Sequence, residues 1–282
     1  MISSHKNKIA VVSMMRNDSF FVTKWLSYYS QQFGANNLFL ILDGHDQPYP
    51  VGYEKINVIR LPHISLSRAK GDRNRARLIS CFAKSLFHRY EVVIAHDIDE
   101  ILVVDPNLNM SLGQYLQIPV RCSSKSALGL DVGQHLELES EIDTNTPFLA
   151  QRRFAHVSAR YTKPVVAHKP LRWGSGFHRV KGKNFRIDKN LFLFHFGMVD
   201  FKRSKDKIGD TSLQKAGWQG HLDRRLQLFE FITSAKPING DDFFAKARTR
   251  QSIFRPIYAI NKPGKLKENP IVKIPERFMH IV

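Results

Sequence analysis

Cysteine is nearly absent: only Cys81 and Cys122 occur in 282 residues, which excludes a disulfide framework and a Cys-rich zinc site. No stretch approaches the roughly 20 apolar residues that cross a bilayer. The longest aliphatic runs, at 9–12, 38–42 and 101–104, are strand-sized. Residues 1–8 carry no apolar segment of signal-peptide length behind a basic start, so a soluble cytoplasmic protein is expected. Acidic residues are scarce, 25 Asp and Glu against 43 Lys and Arg, and the formal charge is +18. The 43% hydrophobic content is ordinary for a globular chain and excludes a disordered or fibrous one.

Such a charge attracts polyanions: nucleic acid, anionic lipid headgroups or phosphorylated small molecules. The basic residues gather in three loose groups: Arg68, Lys70, Arg73, Arg75 and Arg77; Lys202, Arg203, Lys205 and Lys207; Lys246, Arg248, Arg250 and Arg255. Each group also reads as a solvated helix face. No paired zinc ligands, RNP-type aromatic strand or helix-turn-helix accompanies them, so no nucleic acid is expected as partner.

The first half alternates short apolar runs with amphipathic segments, the pattern of a mostly parallel sheet flanked by helices. Strands are predicted at 9–14, 38–42, 56–61 and 91–95. Helices are predicted at 18–32, ended by Gly34, and at 72–89. Beyond about residue 120 the pattern loosens, with strands at 127–130, 164–168 and 191–196 and helices at 201–208 and 221–232. The tail from Lys262, rich in proline and basic residues, is expected to wrap a surface without regular structure. The reading is one α/β domain over residues 1–235, with a basic C-terminal extension, 236–282, packed on or beside it.

Asp97-Ile98-Asp99 is the sharpest chemical feature. It follows the apolar run at 92–95, where open α/β sheets bind ligands. Alternate residues of an extended chain face one side, so both carboxylates can enter one pocket. Paired oxygens suit Mg2+ or Mn2+, whose remaining positions diphosphate oxygens can fill. An acidic turn closing a strand is the alternative. At the end of the first strand, Arg16 can neutralise phosphate beside a helix N-terminus. Asp43, ending the second, can accept hydrogen bonds from a base or ribose, or simply form a turn with Gly44. Arg73, Arg75 and Arg77 open the predicted 72–89 helix against its dipole, which suggests a nearby anion, although solvent exposure would also make them tolerable. Trp173 and His178 flank a glycine-bearing turn and are acceptor-side candidates. His195 interrupts an apolar strand; it is either a hydrogen-bonded core histidine or the imidazole that completes a cation's ligand set.

Together these pieces resemble a glycosyltransferase of the GT-A fold, which is Rossmann-like, and more narrowly the family-2-like group that opens with a strand–hVRNE–helix segment. The similarity runs through residues 9–18 (IAVVSMMRND), 25–29 (WLSYY), 33–35 (FGA) and 38–43 (LFLILD), then 90–102 (YEVVIAHDIDEIL). Residues 163–166 (KPVV) through 176–178 (GFH), and 193–196 (LFHF) with Phe201 and Lys207, are similar to the group's later segments. The resemblance implies that Ser13 and Asp43 contact the nucleoside and Arg73 or Arg75 the diphosphate. It implies that Asp97 meets the ribose or a metal-bound water, Asp99 the metal directly, and His195 is the C-terminal metal ligand. The implied activity is Mn2+- or Mg2+-dependent transfer from a nucleotide-sugar, a UDP-sugar, to a glycan or lipid-linked acceptor, as in lipopolysaccharide or capsule synthesis.

The sequence also departs from that group. Asp18 replaces the usual Glu, and no Glu-Asp dipeptide supplies a catalytic base. Asp131, Glu137, Glu139, Glu141 and Asp188 are candidates by position only. A basic face of Lys246, Arg248, Arg250 and residues 262–273 is a candidate for peripheral contact with an anionic membrane at the cytoplasmic face. The alternatives are a non-catalytic polyanion- or glycan-binding protein on the same fold, and a nucleotidyltransferase. The latter expects a Gly-rich loop near the first strand, and residues 13–19 contain no glycine.

Overall fold

The first four apolar runs pair as a parallel unit. In a computed structural model, which describes residues 7–182, 185–208 and 219–282, chain order gives β1 (Asn7–Met15), α1 (Ser19–Phe33), β2 (Leu38–Asp43), β3 (Asn57–Leu61), α2 (Arg68–Leu86) and β4 (Tyr90–Ala95). Their spatial order is β3-β2-β1-β4, all parallel. β1 shows why the run at 9–12 is uniformly apolar. Val11 and Met15 pack with Trp25 and Tyr29 of α1, while Ala10 and Val12 pack with Ile79 and Ala83 of α2. Both faces are covered, so a polar side chain is kept only where it is bonded, as Ser13 is.

The second half of the sheet is largely antiparallel. It comprises β5 (Glu100–Val104), β6 (Ser124–Gly133), β7 (Phe154–Val157), β8 (Val166–Ala167) and β9 (Ile187–Met198), with short helices α3 (Leu112–Leu116) and α4 (Phe148–Gln151) between them. β8 joins β4 to β6 by antiparallel pairing; β9 runs parallel to β6 and antiparallel to β5. The fold is thus α/β with a Rossmann-like parallel half. Among the described residues the whole sheet has 11 strands. α5 (Phe201–Ile208) follows, then helices Gln219–Ser234 and Gly240–Ile253. Residues 1–6, and the side chain of Lys207 on which part of the family resemblance rests, lie outside the described residues. Among those described, no helix is long and apolar enough to cross a membrane.

Three expectations change. α2 begins at Arg68, so Arg73, Arg75 and Arg77 lie more than a turn inside it rather than at its opening. The tail from Lys262 is not a mere wrapping. β10 (Ile238–Asn239) and β11 (Ile271–Lys273) extend the sheet through β7, and Phe278 is fully buried against Phe192 and Phe194 at 5.1 and 5.4 Å. Such short apolar pieces among prolines and lysines carry no periodicity to read. Finally, Arg248 is no surface cation: its guanidinium lies over Phe192 and donates to the Asp188 carbonyl at 3.1 Å.

Gly129 in β6 positions the site. A Cβ there would lie 2.1 Å from the backbone carbon of Tyr161 and 2.3 Å from the nitrogen of Thr162. Only glycine lets the Tyr161–Lys163 backbone ride this closely on the strand. That crossing carries Lys163 toward the end of β4.

Candidate active site

β4 ends at the C-terminal edge of the parallel strands, and the chain turns at once. The Glu100 amide donates to the Asp97 carbonyl at 3.1 Å, closing a turn over residues 97–100. Asp97 and Asp99 therefore sit on a turn, not a strand, and reach different partners.

Asp97 faces the chain's own cations. Arg75 Nη2 lies 3.1 Å from one carboxylate oxygen and Lys163 Nζ 2.9 Å from the other. Lys163 also meets Glu100 at 2.5 Å, where both side chains are almost wholly buried. Burial opposes ionisation of Asp97, but Arg75 and Lys163 outweigh it and hold the carboxyl below its usual range. Burial pushes the Glu100 carboxyl up despite Lys163.

Asp99 faces β9. Pairing of β5 with β9 sets His195 opposite Glu100, and pairing of β6 with β9 sets Asp131 opposite His195. His195 Nε2 lies 3.2 Å from Asp99 Oδ2, and its Nδ1 lies 2.6 Å from Asp131 Oδ1. Tyr161 stacks on the ring at 3.8 Å between centroids. Burial works against a charged ring, but the two carboxylates prevail and raise the His195 pKa to about 9.

This donor set bears on a divalent cation. Among the described residues, no group of three or more His, Cys, Asp or Glu side chains is arranged to hold one unaided. Asp99 and His195 nevertheless fit as two ligands. Adjacent ligands of an octahedral Mg2+ stand about 3 Å apart, close to the 3.2 Å seen between them. Asp131 behind Nδ1 gives the carboxylate–histidine pairing that orients a metal-binding imidazole. Asp97 does not fit as a ligand, because both its oxygens face Arg75 and Lys163.

His96 anchors the turn from below. Its Nδ1–H donates to the Asp97 carbonyl at 2.8 Å, and its Nε2 accepts from the Tyr29 hydroxyl at 2.7 Å. Burial pushes its pKa down to about 4. The unfolded chain binds this proton below about pH 6.5, whereas the native state does not until near pH 4. Stability is therefore full above pH 6.5 and falls as pH drops toward 4, by about 3 kcal/mol from this residue. His168 and His178, also lowered by burial, act with the same sign. Urea unfolding from pH 7 to pH 4 checks this, and His96→Gln should make the acid limb shallower. An unchanged slope would mean that the native ring takes up the proton.

The other expected residues divide. Ser13 is fully buried, and its hydroxyl donates to the His96 carbonyl at 2.9 Å, so it supports the turn from beneath. Arg16 bridges the β1 and β2 ends through Asp46 at 2.9 and 3.0 Å, and Asp43 meets His63 at 3.1 Å; both lie at the C-terminal ends of the parallel strands. Arg73 is exposed. Trp173 is buried and donates from its indole nitrogen to the Pro164 carbonyl at 2.8 Å, so its polar edge is engaged within the fold. His178 donates from Nδ1 to the Arg160 carbonyl at 2.8 Å and lies in the field of Lys163 and Asp97.

Of Asp131, Glu137, Glu139, Glu141 and Asp188, the candidates for a catalytic base, Asp131 alone meets His195; Glu137 and Glu141 are exposed, the latter beside Lys202 at 3.3 Å. Glu139 fastens a loop through the amides of His135 and Arg153 at 2.8 and 2.7 Å. Asp188 pairs with Lys125 at 3.0 Å, seven residues from His195 along β9 and so roughly 20 Å away. Sequence reasoning gave no role to Lys163, Glu100, Tyr161 or His96. A lysine abutting the apolar run at 164–167 was the available signal for the first.

No protein-family profile and no curated protein sequence matches the chain. Among solved structures, the mannose-1-phosphate geranyltransferase from Thermus thermophilus aligns over 83% of this chain and 70% of that one, with 12% identity and a TM-score of 0.30. At that similarity the functional reading comes from the site's own residues.

Proposed function

We propose that this chain is a metal-dependent glycosyltransferase that moves a sugar from a nucleotide-sugar, a UDP-sugar, to a glycan or lipid-linked saccharide of the lipopolysaccharide or capsule type. The observation that carries the reading is the Asp99–His195–Asp131 array beside the Asp97 turn, at the edge where open α/β sheets receive ligands. Asp99 and His195 would hold Mn2+ or Mg2+. When bound, that ion supplies Lewis-acid charge to a leaving diphosphate.

The chain's own residues do the positioning. Asp131 holds the His195 Nδ1–H, so that a bound cation displacing the Nε2 proton would meet the lone pair left there, beside Asp99. Tyr161 shields one ring face from water. Arg75 and Lys163 hold Asp97 ionised and able to accept hydrogen bonds from a ribose. Arg16 and Arg73 put positive charge along the approach of a diphosphate.

Thermal unfolding with a panel of nucleotides, with and without Mn2+, tests the reading. A ligand at 100 times its dissociation constant stabilises the folded state by about 2.7 kcal/mol. A Mn2+-dependent shift with UDP is expected. Absence of any shift, together with salt-sensitive binding to polyanions, would favour the non-catalytic binder.

A further inference from the structure

We propose that the surface carried by residues 246–267 docks on an anionic phospholipid bilayer. Between residues 253 and 260, Ile257 is 97% exposed, Tyr258 86%, Phe254 68%, Ile253 67% and Ile260 46%. Single exposed apolar side chains are ordinary, whereas five on one short turn mark an interaction surface. Residues 246–267 contain seven Lys and Arg and no Asp or Glu. Lys246, Arg250, Arg255, Lys265 and Lys267 are exposed around the apolar turn.

The turn is held rather than loose. Helix Gly240–Ile253 ends with the Phe254 amide on the Arg250 carbonyl at 3.0 Å, and the Gly264 amide returns to Gln251 at 2.8 Å. Asn261 is buried and donates to the Val180 carbonyl at 2.6 Å. A Cβ on Gly264 would lie 2.2 Å from the Phe254 carbonyl oxygen, so the two arms of the turn are pressed together. The exposed side chains are thus presented on a fixed base, and their insertion would cost little ordering.

Charge and shape favour lipid. Aliphatic and aromatic tips ringed by lysine and arginine suit the headgroup–acyl boundary of an anionic membrane. Three of the five tips are isoleucines, which cannot stack on bases as a single-stranded nucleic-acid site requires. A second copy would set two strongly basic surfaces face to face. Val180 lies two residues beyond His178, so docking would bring the cleft toward the lipid surface, where a lipid-linked acceptor resides. That last step rests on the transferase reading; the docking itself does not.

Co-sedimentation of the full chain with vesicles tests the docking without any turnover assay. Binding is expected to vesicles of phosphatidylcholine with phosphatidylglycerol and not to phosphatidylcholine alone. Ile257→Ser with Tyr258→Ser should weaken it by about tenfold or more. Lys265→Gln with Lys267→Gln should weaken it by about fivefold per charge removed. Both variants should keep the wild-type Tm, because these side chains are exposed. Failure to bind anionic vesicles would overturn the proposal, as would binding that ignores the apolar substitutions. So would a dimer that Ile257→Ser with Tyr258→Ser dissolves, or RNA binding with the same residue dependence in place of vesicle binding.

Discussion

Replacing Lys163 by methionine should lower the unfolding free energy by about 3–5 kcal/mol, the cost of leaving a buried charge without its partner. The Lys163 ammonium meets Asp97 at 2.9 Å and Glu100 at 2.5 Å. Asp97 would keep Arg75, but Glu100 is fully buried and would lose its cation. A methionine fills most of the space of the lysine stem, so packing contributes little to the loss. The expected fall in Tm is roughly 10 °C. Adding Glu100→Gln should recover part of it, because a neutral amide needs no counter-charge. Urea unfolding of the single and double variants measures both effects. A change below about 1 kcal/mol in Lys163→Met would mean that water reaches Glu100 and the pair is not a buried one.

Asp99→Asn should abolish the Mn2+-dependent stabilisation by nucleotide and lower kcat by about a hundredfold or more, the usual scale for losing one charge-stabilising group. The fold should survive, since Asp99 is partly exposed and His195 keeps its 2.6 Å bond to Asp131. Asp131→Asn makes an instructive contrast. It leaves both ligand atoms in place and disturbs only the orientation of the imidazole, so Mn2+ affinity should weaken by about 10–100-fold rather than vanish. Titrating Mn2+ against each variant separates the two roles. Equal loss in both would place Asp131 among the direct ligands. Full nucleotide stabilisation in Asp99→Asn would remove the basis of the transferase reading.

Much of the fold was legible because burial on two faces forces uniform apolar runs. β1, β2, β3 and β4 lie within a residue or two of the strands predicted from such runs, and α1 from its stripe of Phe21, Trp25, Tyr28 and Tyr29. Where strands are short or edge-placed, as in β7, β10 and β11, the signal disappears. Asp97, Asp99 and His195 were legible by residue type and position along the chain. Their partners were not. Ser13 has the right residue type and place in the chain for a ligand contact, yet its hydroxyl supports the His96 carbonyl.

Local pattern and composition were enough for the parallel half of the sheet, the place of the acidic pair at its C-terminal edge and the strong positive charge, but not for the turn that sends the two carboxylates to different partners. Long-range packing alone assigns Asp97 to Arg75 and Lys163, and Asp99 to His195 and Asp131. Those contacts join residues up to 96 positions apart, Asp99 to His195. They depend on the register of β9 against β5 and β6, and on Gly129 admitting the Tyr161–Lys163 backbone. Strand register and backbone approach are set by packing over the whole sheet, and neither leaves a trace in the spacing of residues along the chain.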